Sequence, residues 1–302
     1  MKNNILAWLI LCILVLVWGT SFLLIKKAII FYSPVETGLL RVSFAFLLFL
    51  PFVWKQFRKV TFKQTMLCFL SGAVGIATPA ILFAWAETGI DSATAGVLNS
   101  LTTLFTLIIG LLFFKTRTRW YNVVGVMIGL AGAVGLISVS GGNDFQFNFH
   151  YAMMVLMATI CYAFNTNMVK TWLKEVDPVS ITVFSVFFTG IITSFILLFF
   201  TEFIPETIQS PEKLEGIGYI AILGMIGTGI SMLLFNRLIK MTTAVFAASV
   251  TYLMPIVALM WGIWDGEKIG LTQFLWIFLI LTGVLLVNTR QSKWLKRLGI
   301  NP

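Results

Sequence analysis

The amino-acid sequence predicts an all-α integral membrane protein whose ten transmembrane helices form two inverted five-helix repeats. Three observations carry that expectation. The chain of 302 residues is 59% hydrophobic and only 11% charged, whereas a soluble domain carries about a quarter charged residues. Apolar runs of about 20 residues, the length that crosses the hydrocarbon, recur along it. The two halves also repeat a spacing of small, aromatic and basic residues.

The runs lie at roughly 5–26, 35–54, 65–85, 92–114, 120–139, 149–172, 179–201, 215–236, 242–264 and 271–289, joined by short connections. The first is too long for a signal-peptide core and has no small-residue cleavage site behind it, so it counts as the first helix. It contains Trp18-Gly19-Thr20-Ser21 and ends near Lys26-Lys27. The second follows Ser33-Pro34 and carries Arg41; the third holds Thr78-Pro79; the fourth holds Asn99, Ser100, Thr102, Thr103 and Thr106. The sixth offers Tyr162, Asn165, Thr166 and Asn167 ahead of Lys170, and the ninth Ser249, Thr251 and Tyr252 ahead of Pro255. Cys12, Cys68 and Cys161 fall within spans and, being three, cannot all pair. They read as buried, reduced, small apolar residues.

Basic residues collect on one side if the N-terminus is cytoplasmic. Lys2, the cluster Lys55, Arg58, Lys59 and Lys63, the group Lys115, Arg117 and Arg119, then Lys170, Lys174, Arg237 and Lys240, and finally Arg290, Lys293, Lys296 and Arg297 make up 16 of the 21 Lys and Arg. The opposite loops are acidic, with Glu87, Asp91, Asp144, Glu202, Glu206, Glu212, Glu215, Asp265 and Glu267. The net charge of +9 is thus topological and gives no reason to expect nucleic-acid binding. Both termini are expected in the cytoplasm and the chain in a cell inner (plasma) membrane.

Shifting the sequence by 144 lays Trp18-Gly19-Thr20-Ser21 on Tyr162-Ala163-Phe164-Asn165, Lys26 on Lys170, and Ser33-Pro34-Val35 on Asp177-Pro178-Val179. A shift of 152 lays Gly75 on Gly227, Phe83 on Phe235 and Thr103 on Pro255. Residues 1–142 and 143–302 thus read as two five-helix units. An odd number of spans turns the second upside down, and such inverted repeats place a substrate site near the midplane between the halves.

The pattern Trp18-Gly19-x-x-Phe22-x-x-x-Lys26, then Pro34 and Arg41, resembles the start of the EamA family of the drug/metabolite transporter superfamily. So does the stretch "YLMPIVALMWGIWDGEKIGLTQFLWIFLILTGVLLV", with Pro255, Glu267 and Gly283. The resemblance covers nearly the whole chain and implies a carrier that moves small metabolites, often outward, by alternating access. Two positions depart from the family's pattern: Thr103 stands where the fourth span often has proline, and Lys115-Thr116 where that half often has Glu.

Candidate binding residues are Trp18, Arg41, Thr78, Asn99, Thr103, Tyr162, Asn165, Thr251 and Tyr252, with Lys26, Pro79, Lys170 and Pro255 as candidate gates or hinges. Each has an ordinary alternative. Trp18 reads equally as a cavity wall or a lipid-facing ring. Gly19 reads as a packing position, Thr20 and Ser21 back-bond to their own helix as readily as to anything else, and Lys27 suits snorkelling. Six residues at about 1.5 Å each set Arg41 roughly 9 Å inside the membrane, where a charge faces the bundle interior or a watery cavity; Glu36 is a candidate partner. For each Thr or Ser in the spans the ordinary alternative is an interhelical bond worth about 0.6 kcal/mol on average. Pro79 and Pro255 each free a carbonyl one turn earlier, which suits a hinge or a tolerated kink.

Catalysis finds little support in the sequence. The one histidine, His150, stands in an expected outer loop, and no phosphate-binding glycine loop or zinc-spaced Cys pair is present. No catalytic residue, metal site or cofactor is therefore expected. The expected partners are the lipid bilayer and a small polar, amino-acid-like substrate, in a monomer or homodimer. The alternative in another class is a membrane enzyme acting on a lipid or isoprenoid.

Overall fold

The computed structural model describes residues 2–115, 120–140, 145–266 and 270–288. Arg117, Arg119, Thr116, Asp144, Glu267 and the basic C-terminal tail lie outside the described residues. Every regular element among the described residues is helical. Ten helical stretches organise them: α1 (Lys2–Ala28), α2 (Pro34–Phe49), α3 (Phe62–Ala86), α4 (Ser92–Phe114), α5 (Trp120–Ser140), α6 (Phe145–Thr171), α7 (Pro178–Phe200), α8 (Lys213–Met241), α9 (Ala244–Trp264) and α10 (Leu271–Asn288). By length and composition, 8 stretches of the described chain can cross a membrane, and Leu271–Gly283 is a shorter apolar stretch.

Local chemistry sets the helix starts. Ser33 caps α2 in a reciprocal box with Glu36, and Pro34 occupies the first turn, where its missing N–H costs nothing. Thr61 and Gln64 form the same box on α3. Asp177, with Pro178 behind it, caps α7 by accepting from the Ser180 amide. Burial, the largest influence on the Asp177 carboxyl, pushes it up, but the Ser180 hydrogen bonds, Lys59 and the Val179 amide together bring it below the usual aspartate range. At the end of α4, Lys115 takes a left-handed conformation with φ 52°.

Four helices are not regular α-helix throughout. α3 widens to a π-helix over Ala73–Ala77 and α8 over Leu223–Ile230. In α3 the widening precedes Pro79, whose ring would otherwise crowd the carbonyl four residues back. In α8 hydroxyls fill the looser turns: Thr228 donates to the Leu223 carbonyl (3.2 Å) and Ser231 to that of Ile226 (2.9 Å), both five residues back. α4 breaks at Ser100-Leu101 and α9 at Ser249. The two breaks touch, with Thr103 donating to the Ala248 carbonyl at 2.9 Å and lying 3.2 Å from the Thr251 hydroxyl. They sit 149 residues apart, Ser100 to Ser249.

The packing uses small residues where backbones meet. A Cβ at Gly19 would lie 2.5 Å from Val257, so α1 and α9 are in close contact there. At Gly283 it would lie 2.4 Å from the Gly129 backbone nitrogen, bringing α10 onto α5. α2 and α7 meet through Phe46 on Gly190 and a 2.9 Å Ser194–Ser43 hydrogen bond. α1 and α8 run antiparallel: Tyr32, just past the end of α1, bonds the Lys213 carbonyl at the start of α8, while Trp8 meets Phe246 just past the end of α8. Large apolar side chains such as Phe199, Phe200, Leu112 and Phe278 point out of the bundle, as lipid contact allows. Cys12 is also exposed rather than buried, whereas Cys68 is buried; all three cysteines are free thiols.

Candidate substrate cavity

A cavity of about 730 Å³, open space at its mouth included, lies between α1, α2, α3, α4, α6, α8 and α9. Trp18, Arg41, Asn99, Tyr162, Asn165 and Thr251 all line it, together with Ser21, Thr102 and Thr228. Trp18 is a wall residue. Its indole N–H donates to the Gly227 carbonyl at 2.8 Å, and its ring meets Phe235 edge-on at 5.0 Å. Across the cavity Tyr162 stacks on Phe83 at 6.0 Å. Trp18 with Phe235 and Tyr162 with Phe83 are the residues that the 144 and 152 shifts superpose.

Arg41 is buried, with 8% of its surface exposed. Its Nε donates to the Thr228 hydroxyl at 2.6 Å in the π-helical part of α8. Close approach makes this reach short: a Cβ at Gly224 would sit 2.6 Å from the Arg41 carbonyl oxygen. Glu36 is not its partner, because that carboxylate bonds the Ser33 amide and hydroxyl at 3.0 and 2.7 Å. Glu87, expected in an outer loop, is buried at the end of α3 and attracts Arg41 electrostatically.

Asn165 accepts from the Ser71 hydroxyl at 2.7 Å, and Thr102 donates to Asn99 at 3.3 Å. Ser21 and Thr20 back-bond to the Val17 and Leu16 carbonyls, and Thr20 also accepts from the Trp261 indole at 3.0 Å. Thr103 ties the two helix breaks together and is fully buried. Thr78 and Pro79 belong to the α3 wall but not to the lining, and the side chain of Tyr252 lies outside the described residues. Asn167 is structural, joining α6 to the Thr106 carbonyl of α4 at 2.9 Å. Thr228 and Phe235 are lining residues that the sequence reading passed over, although the run Gly227-Thr228-Gly229 is a small-polar signal inside an apolar span.

The candidate gates stand at opposite ends of the bundle. At one end Lys26 and Lys27 both reach Asp265 at the close of α9, Lys26 at 3.3 Å, so Lys27 is paired rather than free to snorkel. The hydrogen bond from Lys27, and after it those from Lys26, hold the Asp265 carboxyl below the usual aspartate range against the opposing effect of burial. At the other end Lys170 donates to the Ile239 and Thr242 carbonyls, and Lys240 to that of Leu173. α6 and α8 thus cap each other's C-termini with ammonium groups, where the helix dipole favours positive charge. Among the described residues no His, Cys, Asp and Glu cluster could hold a metal ion.

The chain is similar to several membrane proteins over nearly its full length. An "Uncharacterized transporter" of Archaeoglobus fulgidus is 27% identical, covering 93% of this chain and 98% of its own. The "Uncharacterized inner membrane transporter YedA" of Escherichia coli K12 is 26% identical over 91% of this chain and 88% of its own. A "Probable terminal-alkyne amino-acid exporter" of Streptantibioticus cattleyicolor is 22% identical over 96% and 95%. A solved crystal structure covering 97% of this chain and 98% of its own superposes with a TM-score of 0.67 at 14% identity, which shows a shared fold. The family model described as "EamA-like transporter family" matches residues 5–138 and again 150–289. With its apolar helices and this double match, the chain is a multi-pass membrane protein and belongs to the EamA-like transporter family.

Proposed function

We propose that the protein is a ten-span carrier, built from inverted repeats over 1–142 and 143–302, that moves small polar, amino-acid-like metabolites out of the cell by alternating access. The observation that carries this reading is the cavity, walled by matched aromatic pairs from the two halves and holding the buried Arg41. The antiparallel course of α1 and α8 and the matched π-helical turns of α3 and α8 support the repeat. The two lysine clusters at opposite ends suit alternating gates. The exporter from S. cattleyicolor supports an amino-acid-like cargo and the outward direction. The "inner membrane" in the name of the E. coli relative supports the same location here, and the one-sided Lys and Arg distribution supports placing both termini in the cytoplasm.

The test is counterflow. Purified protein is reconstituted into liposomes loaded with an unlabelled mixture of amino acids and small organic acids and amines, and the transient accumulation of each labelled solute is followed. A carrier accumulates at least one of them above protein-free liposomes. Absence of counterflow for every solute overturns the reading.

A further inference from the structure

The hydrogen-bond donors left over in the cavity are concentrated on a few groups. Among the lining residues, the hydroxyls of Ser21, Thr228 and Thr251 donate to backbone carbonyls, that of Thr102 donates to Asn99, and the Trp18 indole donates to Gly227. The groups whose donors remain are different ones. Arg41 spends only Nε, on Thr228, and its terminal nitrogens make no hydrogen bond among the described residues. The Tyr162 hydroxyl and the Asn165 amide nitrogen make none either, and the Asn99 amide nitrogen has only a 3.9 Å contact with the Met254 sulfur. The side-chain oxygens of Asn99 and Asn165 each already accept one bond. No acidic residue is among the described residues that line the cavity. Hydroxyl and amide oxygens still offer lone pairs, but the one fixed charge among the described lining residues is positive, and its terminal donors are unspent.

A buried guanidinium with its two terminal nitrogens unspent matches the two oxygens of a carboxylate in a forked pair. A single positive charge balances a single negative one, and the neighbouring Glu87 disfavours a second. The remaining walls, Trp18, Phe22, Phe83, Tyr162 and Phe235, offer aromatic faces and edges to an apolar body. We infer that the cavity binds monocarboxylates with an apolar or aromatic body, Arg41 taking the carboxylate, and that an ammonium group on the ligand is dispensable. This rests on the carrier reading and sharpens it, since an amino acid would be held by its carboxylate and side chain.

The test uses three probes that share one body: 3-phenylpropionate, 3-phenylpropanamide and 3-phenylpropylamine. Binding to the purified full chain in detergent is measured by calorimetric titration. The acid should bind at least about tenfold more tightly than the amide, as a charge-assisted forked bond exceeds a neutral one, and the amine should bind most weakly. In Arg41→Gln the acid should fall to the level of the amide, and Arg41→Lys should keep part of the preference. Equal binding of acid and amide by the wild-type protein, a preference for the amine, or no saturable binding of any probe overturns the inference; none of these outcomes needs a variant to fold. Counterflow separates it from the carrier reading. Liposomes that exchange amines and ignore the acid overturn the carboxylate assignment and leave a carrier, whereas liposomes that exchange nothing overturn both.

Discussion

Replacing Gly75 by alanine should destabilise the protein through one side chain, and removing that side chain should undo part of the damage. In an ordinary helix interior Gly→Ala is worth about 0.5–1 kcal/mol in favour of the helix. Here the new Cβ would lie 2.1 Å from the Asn165 amide nitrogen and 2.4 Å from its Cγ. Asn165 must turn away, breaking its 2.7 Å bond from Ser71, a hydroxyl with no exposed surface. Stranding that hydroxyl costs about 1–3 kcal/mol and the overpacking a further ~1–3 kcal/mol. Asn165→Ala alone loses the same bond and leaves a void. In the double variant the two closest contacts are gone, the 3.1 Å approach to the Asn165 Cβ needs a shift of only a few tenths of an ångström, and the new methyl enters the vacated space. The coupling energy of Gly75→Ala with Asn165→Ala should therefore be about 1–3 kcal/mol in the favourable direction. Free energies from reversible unfolding in mixed micelles supply the cycle. Additivity within about 0.5 kcal/mol would show that Gly75 and Asn165 are not packed as described. Gly72→Ala is the control: its Cβ would meet the Ser185 backbone oxygen at 2.2 Å, and no side-chain truncation can relieve that.

Asp177→Ala should cost about 1 kcal/mol by removing the α7 cap, and Asp177→Asn much less. Because the Asp177 carboxyl is held below its ordinary value, its charge contributes fully above that value and is lost as the pH falls through the lowered one, a dependence that Asp177→Asn should abolish in acid unfolding curves. Lys170→Met and Lys240→Met should each increase labelling of a single cysteine at Phe235 by a thiol reagent added from the cytoplasmic side; unchanged labelling would show that these lysines do not hold that end shut. A C-terminal reporter active only outside the cytoplasm should stay silent, and activity would refute the ten-span arrangement. Single cysteines at Asn99 and Thr251 should react with a small polar thiol reagent while one at Phe278, which points out of the bundle, stays inert; equal behaviour would misplace the cavity.

Much of the scaffold is legible because membrane helices announce themselves by length and apolarity, and because Ser33-Pro34 and Asp177-Pro178 are explicit start signals. The convergence of Trp18, Arg41, Tyr162 and Asn165 is legible too, since polar groups inside apolar runs have few other places to go. The π-helical turns are not. A change of pitch over Ala73–Ala77 leaves no periodicity to detect in five residues, so Thr228, which the wider turn of α8 presents to Arg41, looked like any threonine among glycines. The spacing between the breaks of α4 and α9 is not legible either. The connection between α3 and α4 spans residues 87–91 and that between α8 and α9 only 242–243, so an offset fixed on one helix pair slips by the difference on the next. The burial of Glu87 is not legible for a related reason, since the sequence does not say which residue of a short acidic connection folds inward.

The two lysine clusters differ in what they rest on. At one end the ammonium groups rest on the carboxylate of Asp265, a group that accepts a proton once the surroundings are acidic enough. At the other they rest on the backbone carbonyls of Ile239, Thr242 and Leu173, which do not titrate. Acidification therefore acts directly on the Asp265 contacts, whereas it reaches the carbonyl contacts only indirectly, through the carboxylates of Asp177 and Glu175 that act on Lys240. A pH difference across the membrane would thus act unequally on the two ends of the proposed carrier.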